Sequence, residues 1–128
     1  MPKDKMQFLK YYFWVFGLLN ILIISFTVPL LFGDLLLWQP RNIPVEIMIG
    51  VIYFAMGIIM IFSASNPLSH KSFLDFVIIA NILHAIVMVL FAKNLFHLIV
   101  DVIPIGLMGV LPLLFYPWGL SKFLRYRY

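Results

Sequence analysis

Four uninterrupted apolar runs constrain the fold of this chain more than any other feature. They cover residues of about 11–32, 44–64, 73–92 and 95–116. Each run holds about 20 residues, which as an α-helix rising about 1.5 Å per residue crosses the ~30 Å hydrocarbon core of a bilayer. None of them alternates apolar and polar residues as a membrane β-strand does. The sequence therefore predicts an all-α protein, an antiparallel bundle of four transmembrane helices in which residues 1–128 form a single domain.

The composition excludes an ordinary soluble domain. Hydrophobic residues make up 64% of the 128 residues and charged residues only 11%, whereas soluble domains carry about 25% charged residues. A soluble protein of this size could not bury so much apolar surface, and a disordered chain needs low hydrophobicity. The absence of cysteine excludes disulfides, thiolate metal ligands and cysteine nucleophiles.

The distribution of lysine and arginine predicts the orientation of the four helices. Seven of the nine basic residues fall on the side of both termini: Lys3, Lys5, Lys10, Lys71, Lys122, Arg125 and Arg127. Only Arg41 and Lys93 fall on the other side. The excess of basic residues in cytoplasmic segments places both termini in the cytoplasm. The net charge is +4, and we expect the basic tails to contact anionic lipid headgroups. We do not expect a nucleic-acid partner.

Prolines and one amide inside the runs predict local features. Pro104 and Pro112 lie inside the fourth run, where each removes a backbone donor. We expect Pro104 to free the carbonyl of Val100 and to bend the helix by more than about 20°. Asn20 is alone in the middle of the first run, which predicts a hydrogen bond to another helix.

Polar and ionisable side chains inside the predicted helices indicate a candidate site, because such groups are costly in a membrane. Six of them are candidates for one pocket in the outer leaflet: Glu46, Tyr53, Asn81, His84, His97 and Asp101. His84 and Asp101 would lie at similar depths, roughly 12 Å and 9 Å from the outer end of their helices. The sequence therefore predicts that these two side chains face each other. We expect them to lie within about 8 Å, a distance that direct contact or one bridging water or ion can cover.

Several chemistries remain open for this pocket. His84, His97, Asp101 and Glu46 are ligand types for a divalent metal ion. A histidine and aspartate pair can also relay a proton or orient a quinone or a lipid headgroup. The alternative is a hydrogen-bonded network that only fixes the register of the helices. The sequence requires no cofactor, and because it has no phosphate-binding glycine loop, GxSxG or HExxH motif, it offers no catalytic residue.

A series of motifs carries a resemblance to a known family. The motifs are Pro44-x-Glu46, Gly50-x-x-Tyr53-x-x-x-Gly57, Asn66-Pro67-Leu68-x-His70-x-Ser72-Phe73-Leu74-Asp75-Phe76, Asn81-x-x-His84-x-x-x-Met88 and Asp101-x-x-Pro104. In them the chain resembles an uncharacterised family of small bacterial four-helix integral membrane proteins. The resemblance implies a four-helix fold and a bacterial inner membrane, and it implies no activity. A likeness to DoxX-type membrane proteins rests on topology alone.

Two functions follow as expectations. Four short helices bury little surface, and the connection Leu35–Trp38 is too apolar for water, so we expect contacts with other subunits. The first expectation is thus a non-enzymatic accessory subunit or homo-oligomer in a membrane complex. The second is a membrane protein that binds a metal ion, a quinone or a lipid at the His/Asp pocket.

Overall fold

The computed structural model describes residues 3–36, 40–92 and 95–115, and this part of the chain is helical without any strand. Four helices are long and apolar enough to cross a membrane. They are α1 (Lys3–Leu31), α2 (Ile43–Ser63), α3 (Lys71–Phe91, after a 3-10 turn at Pro67–His70) and α4 (95–115). The prediction of an all-α protein with four transmembrane helices is confirmed.

Three predicted features fall outside the described residues. They are the side chains of the apolar connection Leu35–Trp38, the turn at Lys93 and Asn94, and the basic C-terminal tail that holds Lys122, Arg125 and Arg127.

Local chemistry explains where the helices begin. Helix α1 begins at Lys3, eight residues before the predicted apolar run, and Asp4 lies in its first turn. A carboxylate there is stabilised by the positive end of the helix dipole. At the start of α2, the side-chain oxygen of Asn42 accepts a hydrogen bond from the backbone of Val45 at 3.3 Å. Pro44 occupies the first turn of α2, where a missing N–H costs nothing.

The chain divides into two compact units. The first unit is Lys10–Ser65 and contains α2 and most of α1. The second unit combines Met1–Leu9 with Asn66–Tyr128, so it contains α3 and α4.

In the first unit, glycines let α1 and α2 pack closely as an antiparallel pair. A Cβ atom added to Gly57 would lie 2.7 Å from the carbonyl oxygen of Gly17. One added to Gly50, two turns away, would lie 3.1 Å from the carbonyl oxygen of Ser25. Small residues at such crossings let backbones approach, which is a main source of helix association in membranes. Gly50, Tyr53 and Gly57, which the sequence places on one face of α2, are all buried.

In the second unit, α3 and α4 form a similar antiparallel pair. Gly109 of α4 lies against α3, where an added Cβ would be 2.8 Å from the Ile82 side chain and 3.1 Å from the carbonyl oxygen of Ile78. Gly106 is less crowded, because the nearest atom to its added Cβ is that of Ala85 at 3.7 Å.

Two of the membrane helices contain π-helical segments, and each segment precedes a proline. The segment Asn20–Thr27 precedes Pro29 in α1, and Leu98–Val102 precedes Pro104 in α4. Proline has no N–H for the carbonyl four residues earlier, and that carbonyl lies within the π-helical segment in both cases. The loss of the hydrogen bond to the carbonyl of Val100 is therefore accompanied by a wider, π-helical turn. The bend of more than about 20° at Pro104 stays a prediction.

Candidate functional site

One pair of candidate site residues is in direct contact at the start of α4. Nδ1 of His97 lies 2.9 Å from Oδ2 of Asp101. The two residues are four positions apart on one helix face, as the sequence indicates. Their side chains are only 15% and 13% exposed, within a helix long enough to cross a membrane. A carboxyl and an imidazole are thus held together with most of their surface buried.

The contact determines what the pair can do chemically. An ionised carboxylate only accepts hydrogen bonds, so with Asp101 ionised the His97 ring carries its proton on Nδ1. The second ring nitrogen, Nε2, is then the basic atom of the neutral imidazole. A carboxylate that orients an imidazole in this way is the arrangement found behind metal-binding histidines and proton-transfer histidines.

The other candidates of the second unit have different surroundings. Asn81 is buried, and its side-chain amide donates to the carbonyl of Val77 at 2.7 Å, one turn back in α3. His84 is half-buried on α3. The partner of Asp101 at hydrogen-bond distance is His97, so the approach of His84 to Asp101 stays a prediction.

The remaining two candidates, Glu46 and Tyr53, belong to the first unit. Tyr53 is buried on the face of α2 that also contains Gly50 and Gly57. Glu46 has a strong partner in Arg41, described below. Among the residues that the structure describes, no three histidine, aspartate or glutamate side chains come together in a way that could hold a metal ion.

Arg41 forms a cluster of ionic contacts that the sequence analysis missed. Its Nη2 lies 2.6 Å from Oε2 of Glu46, and its Nε lies 3.2 Å from both oxygens of the same carboxylate. Nη1 donates to Oδ1 of Asp34 at 3.0 Å. Nη2 also donates to the carbonyl oxygen of Pro29 at 3.1 Å. One side chain therefore joins the end of α1, the connection after it and the start of α2.

The contacts of this cluster differ in their exposure to solvent. The side chains of Arg41 and Glu46 are 23% and 12% exposed, but that of Asp34 is 91% exposed. The hydrogen bonds that the guanidinium of Arg41 donates to Glu46, followed by the one that it donates to Asp34, raise its pKa above the usual range. Gly33 lies directly under the guanidinium, since an added Cβ would be 2.5 Å from its central carbon. The sequence does contain a signal for this cluster, because Arg41 has Asp34 seven residues before it and Glu46 five residues after it.

Buried polar contacts also link α1 and α2. The side-chain amide of Asn20 donates to Sδ of Met60 at 3.4 Å, which confirms the predicted hydrogen bond between helices. The hydroxyl of Ser25 donates to the carbonyl of Asn20 at 2.7 Å. Both hydrogen bonds lie in the first unit, and the one from Asn20 joins its two helices.

Comparisons of the chain with models of protein families, with curated proteins and with solved structures found no match. The resemblance to a family of small bacterial membrane proteins, and the topological likeness to DoxX-type proteins, stay predictions.

Proposed function

We propose that this protein is an accessory subunit of a membrane complex or a homo-oligomer, and that it has no catalytic activity of its own. The observation that carries the proposal is the small share of each membrane helix that the chain itself covers. Within the most apolar part of each helix, only 17–28% of the residues are buried. The remaining faces are apolar and available to other helices or to lipid.

One face of α4 supports this proposal in particular. Four large apolar side chains lie four residues apart and are all exposed: Leu95, Ile99, Ile103 and Leu107. Side chains at this spacing form a continuous ridge, and such ridges pack into the grooves of neighbouring helices. We assign the contact with a partner helix to this row, which is called the α4 ridge below.

Site-specific photo-crosslinking in native membranes tests this proposal. A photoreactive amino acid at Ile103 of the α4 ridge should give protein adducts of one defined mass, either a dimer of this chain or a fixed partner. The matched control is Ile52, an equally apolar and exposed residue of α2, which should give lipid adducts. Lipid adducts alone at both positions, together with a monomer in native mass spectrometry, would refute the proposal.

A second candidate function is supported by the contact between His97 and Asp101. An ionisable pair within a membrane helix indicates a functional site by default, because its burial is costly. The ligand would be a quinone, a lipid headgroup or a metal ion that meets the imidazole of His97. Metal analysis and extraction of copurified lipids and quinones from the wild type and from His97→Gln provide the test. A ligand at one equivalent that disappears in the variant supports this function, and an unchanged ligand content contradicts it.

The motifs and the basic residues of the chain also support a location for the protein. We assign it to a bacterial inner membrane with both termini in the cytoplasm, where its basic tails meet anionic headgroups. The division of seven basic residues to two between the sides of the predicted topology supports the orientation, and the resemblance to small bacterial membrane proteins supports the bacterial inner membrane.

A further inference from the structure

The π-helical segment of α1 is long enough to act as a hinge. It covers eight residues, Asn20–Thr27, whereas most π-helical insertions are single turns. Inside it, the hydroxyls of Ser25 and Thr27 donate to carbonyls five residues earlier, each at 2.7 Å. Such departures from α-helical geometry often occur at functional sites.

Pro29 removes a backbone hydrogen bond at the end of this segment. It has no N–H to offer the carbonyl of Ser25, which instead lies against Gly50 of α2. The last turn of α1, Val28–Leu31, is therefore joined to the rest of the helix by fewer hydrogen bonds than a regular helix would have. Contacts with other parts of the first unit must hold this turn in place.

Arg41 supplies such a contact. Its Nη2 donates to the carbonyl of Pro29 in the last turn of α1 and also binds Glu46 in the first turn of α2. Both ends of this connection lie in the first unit. The guanidinium therefore holds the weakly bonded turn against the neighbouring helix.

We propose that Val28–Leu31 is a hinged arm, that the segment Asn20–Thr27 is its hinge, and that Arg41 is the latch that keeps the arm closed against α2. Glu46 is the essential half of the latch, because its loss would leave the mostly buried guanidinium of Arg41 without this neutralising charge, which is costly. Asp34 is dispensable, because an ion pair with a fully solvated carboxylate contributes little.

Distances between spin labels on the full-length protein in liposomes test the latch. The chain has no cysteine, so a pair of labels is introduced without background. One pair, at Leu30 and Met48, reports on the arm. The other pair, at Val15 and Phe62, reports on the same helices on the far side of the hinge. All four residues are exposed, so the labels do not disturb the packing between α1 and α2.

The variants Glu46→Gln and Asp34→Asn distinguish the two halves of the latch. In Glu46→Gln we expect the distance between positions 30 and 48 to lengthen or broaden by more than about 2 Å, the scale of segment rearrangements. The distance between positions 15 and 62 should not change. In the matched control Asp34→Asn, both distances should equal those of the unsubstituted protein.

Three results would overturn the latch. In Glu46→Gln, an unchanged distance at the arm means that the ion pair between Arg41 and Glu46 does not keep the arm closed. A change in both pairs means that the substitution loosens the whole helix pair and that no hinge exists. A shift in Asp34→Asn as large as that in Glu46→Gln means that the essential carboxylate was wrongly assigned.

Pro29→Ala tests the hinge separately from the latch. The alanine N–H can bond the carbonyl of Ser25 and restore a regular helix across the hinge. Added to Glu46→Gln, this substitution should return the distance between positions 30 and 48 to the original value. A distance that stays shifted in the double variant would contradict a hinge at Asn20–Thr27.

Discussion

Gly57→Ala offers a direct test of the packing between α1 and α2. The added Cβ would lie 2.7 Å from the carbonyl oxygen of Gly17 and 2.8 Å from a side-chain carbon of Ile21. Ordinary van der Waals contact begins at 3.4 Å, so the backbone of α1 must move away by about 0.7 Å. The atom in the way belongs to the backbone, which means that a side-chain rotation cannot relieve the clash. Overpacking of this kind typically costs about 1–3 kcal/mol.

Gly106→Ala in α4 is the matched control. Its added Cβ meets only that of Ala85, at an ordinary contact distance of 3.7 Å. Both substitutions replace a helical glycine by alanine, a gain in helix propensity of about 1 kcal/mol that is common to both and cancels. The difference in the free energy of unfolding between the two variants therefore measures the overpacking alone, and we expect about 1–3 kcal/mol.

Reversible unfolding in mixed micelles, with increasing fractions of denaturing detergent, provides the measurement. Gly57→Ala should unfold at a lower detergent fraction than Gly106→Ala, and the contact between Asn20 and Met60 beside Gly57 should weaken with it. Equal unfolding free energies in the two variants would refute a close backbone contact between α1 and α2.

Three further predictions concern topology, the His/Asp pair and Pro104. A single cysteine at Asn66, an exposed position, should react with an impermeant maleimide only from the cytoplasmic face, and reaction from outside would invert the topology. Asp101→Asn should cost less than about 1 kcal/mol of unfolding free energy in mixed micelles, because the amide still accepts a hydrogen bond from His97, whereas Asp101→Leu should cost about 1–3 kcal/mol. Pro104→Ala should convert the π-helical turn at Leu98–Val102 to α-helix, which backbone NMR chemical shifts would detect, and an unchanged turn would mean that the proline is not its cause.

The sequence predicted the helices well because the membrane allows so few alternatives. The apolar run predicted at 44–64 is found as a helix at Ile43–Ser63, and local signals such as Asn42 and Pro44 mark its start. Gly50, Tyr53 and Gly57 are spaced so that a helix brings them to one face, and that face is buried in the structure. Spacing could not tell which helix covers that face, and in the structure Gly17 and Ser25 of α1 contact two of its glycines.

Contacts within one helix turn were easier to predict than contacts across a connection. The interval between His97 and Asp101 is the spacing at which helical side chains meet, and the two are in contact. Glu46 was assigned to the pocket in the outer leaflet, and its ion pair with Arg41 was not predicted. The π-helical segment before Pro29 was missed because a proline near the end of an apolar run is also the ordinary signal for the end of a helix.

The hydrogen bond from Asn20 to Met60 has a consequence for oxidation. The thioether of Met60 is fully buried and shielded by the amide, whereas Met48 in the same helix is exposed. Conversion of a methionine to its sulfoxide requires access of the oxidant and introduces a polar group that a packed interior does not tolerate. Peroxide should therefore modify Met48 first and Met60 only when α1 and α2 separate, so the ratio of the two sulfoxides in a mass spectrum reports how often this helix pair opens.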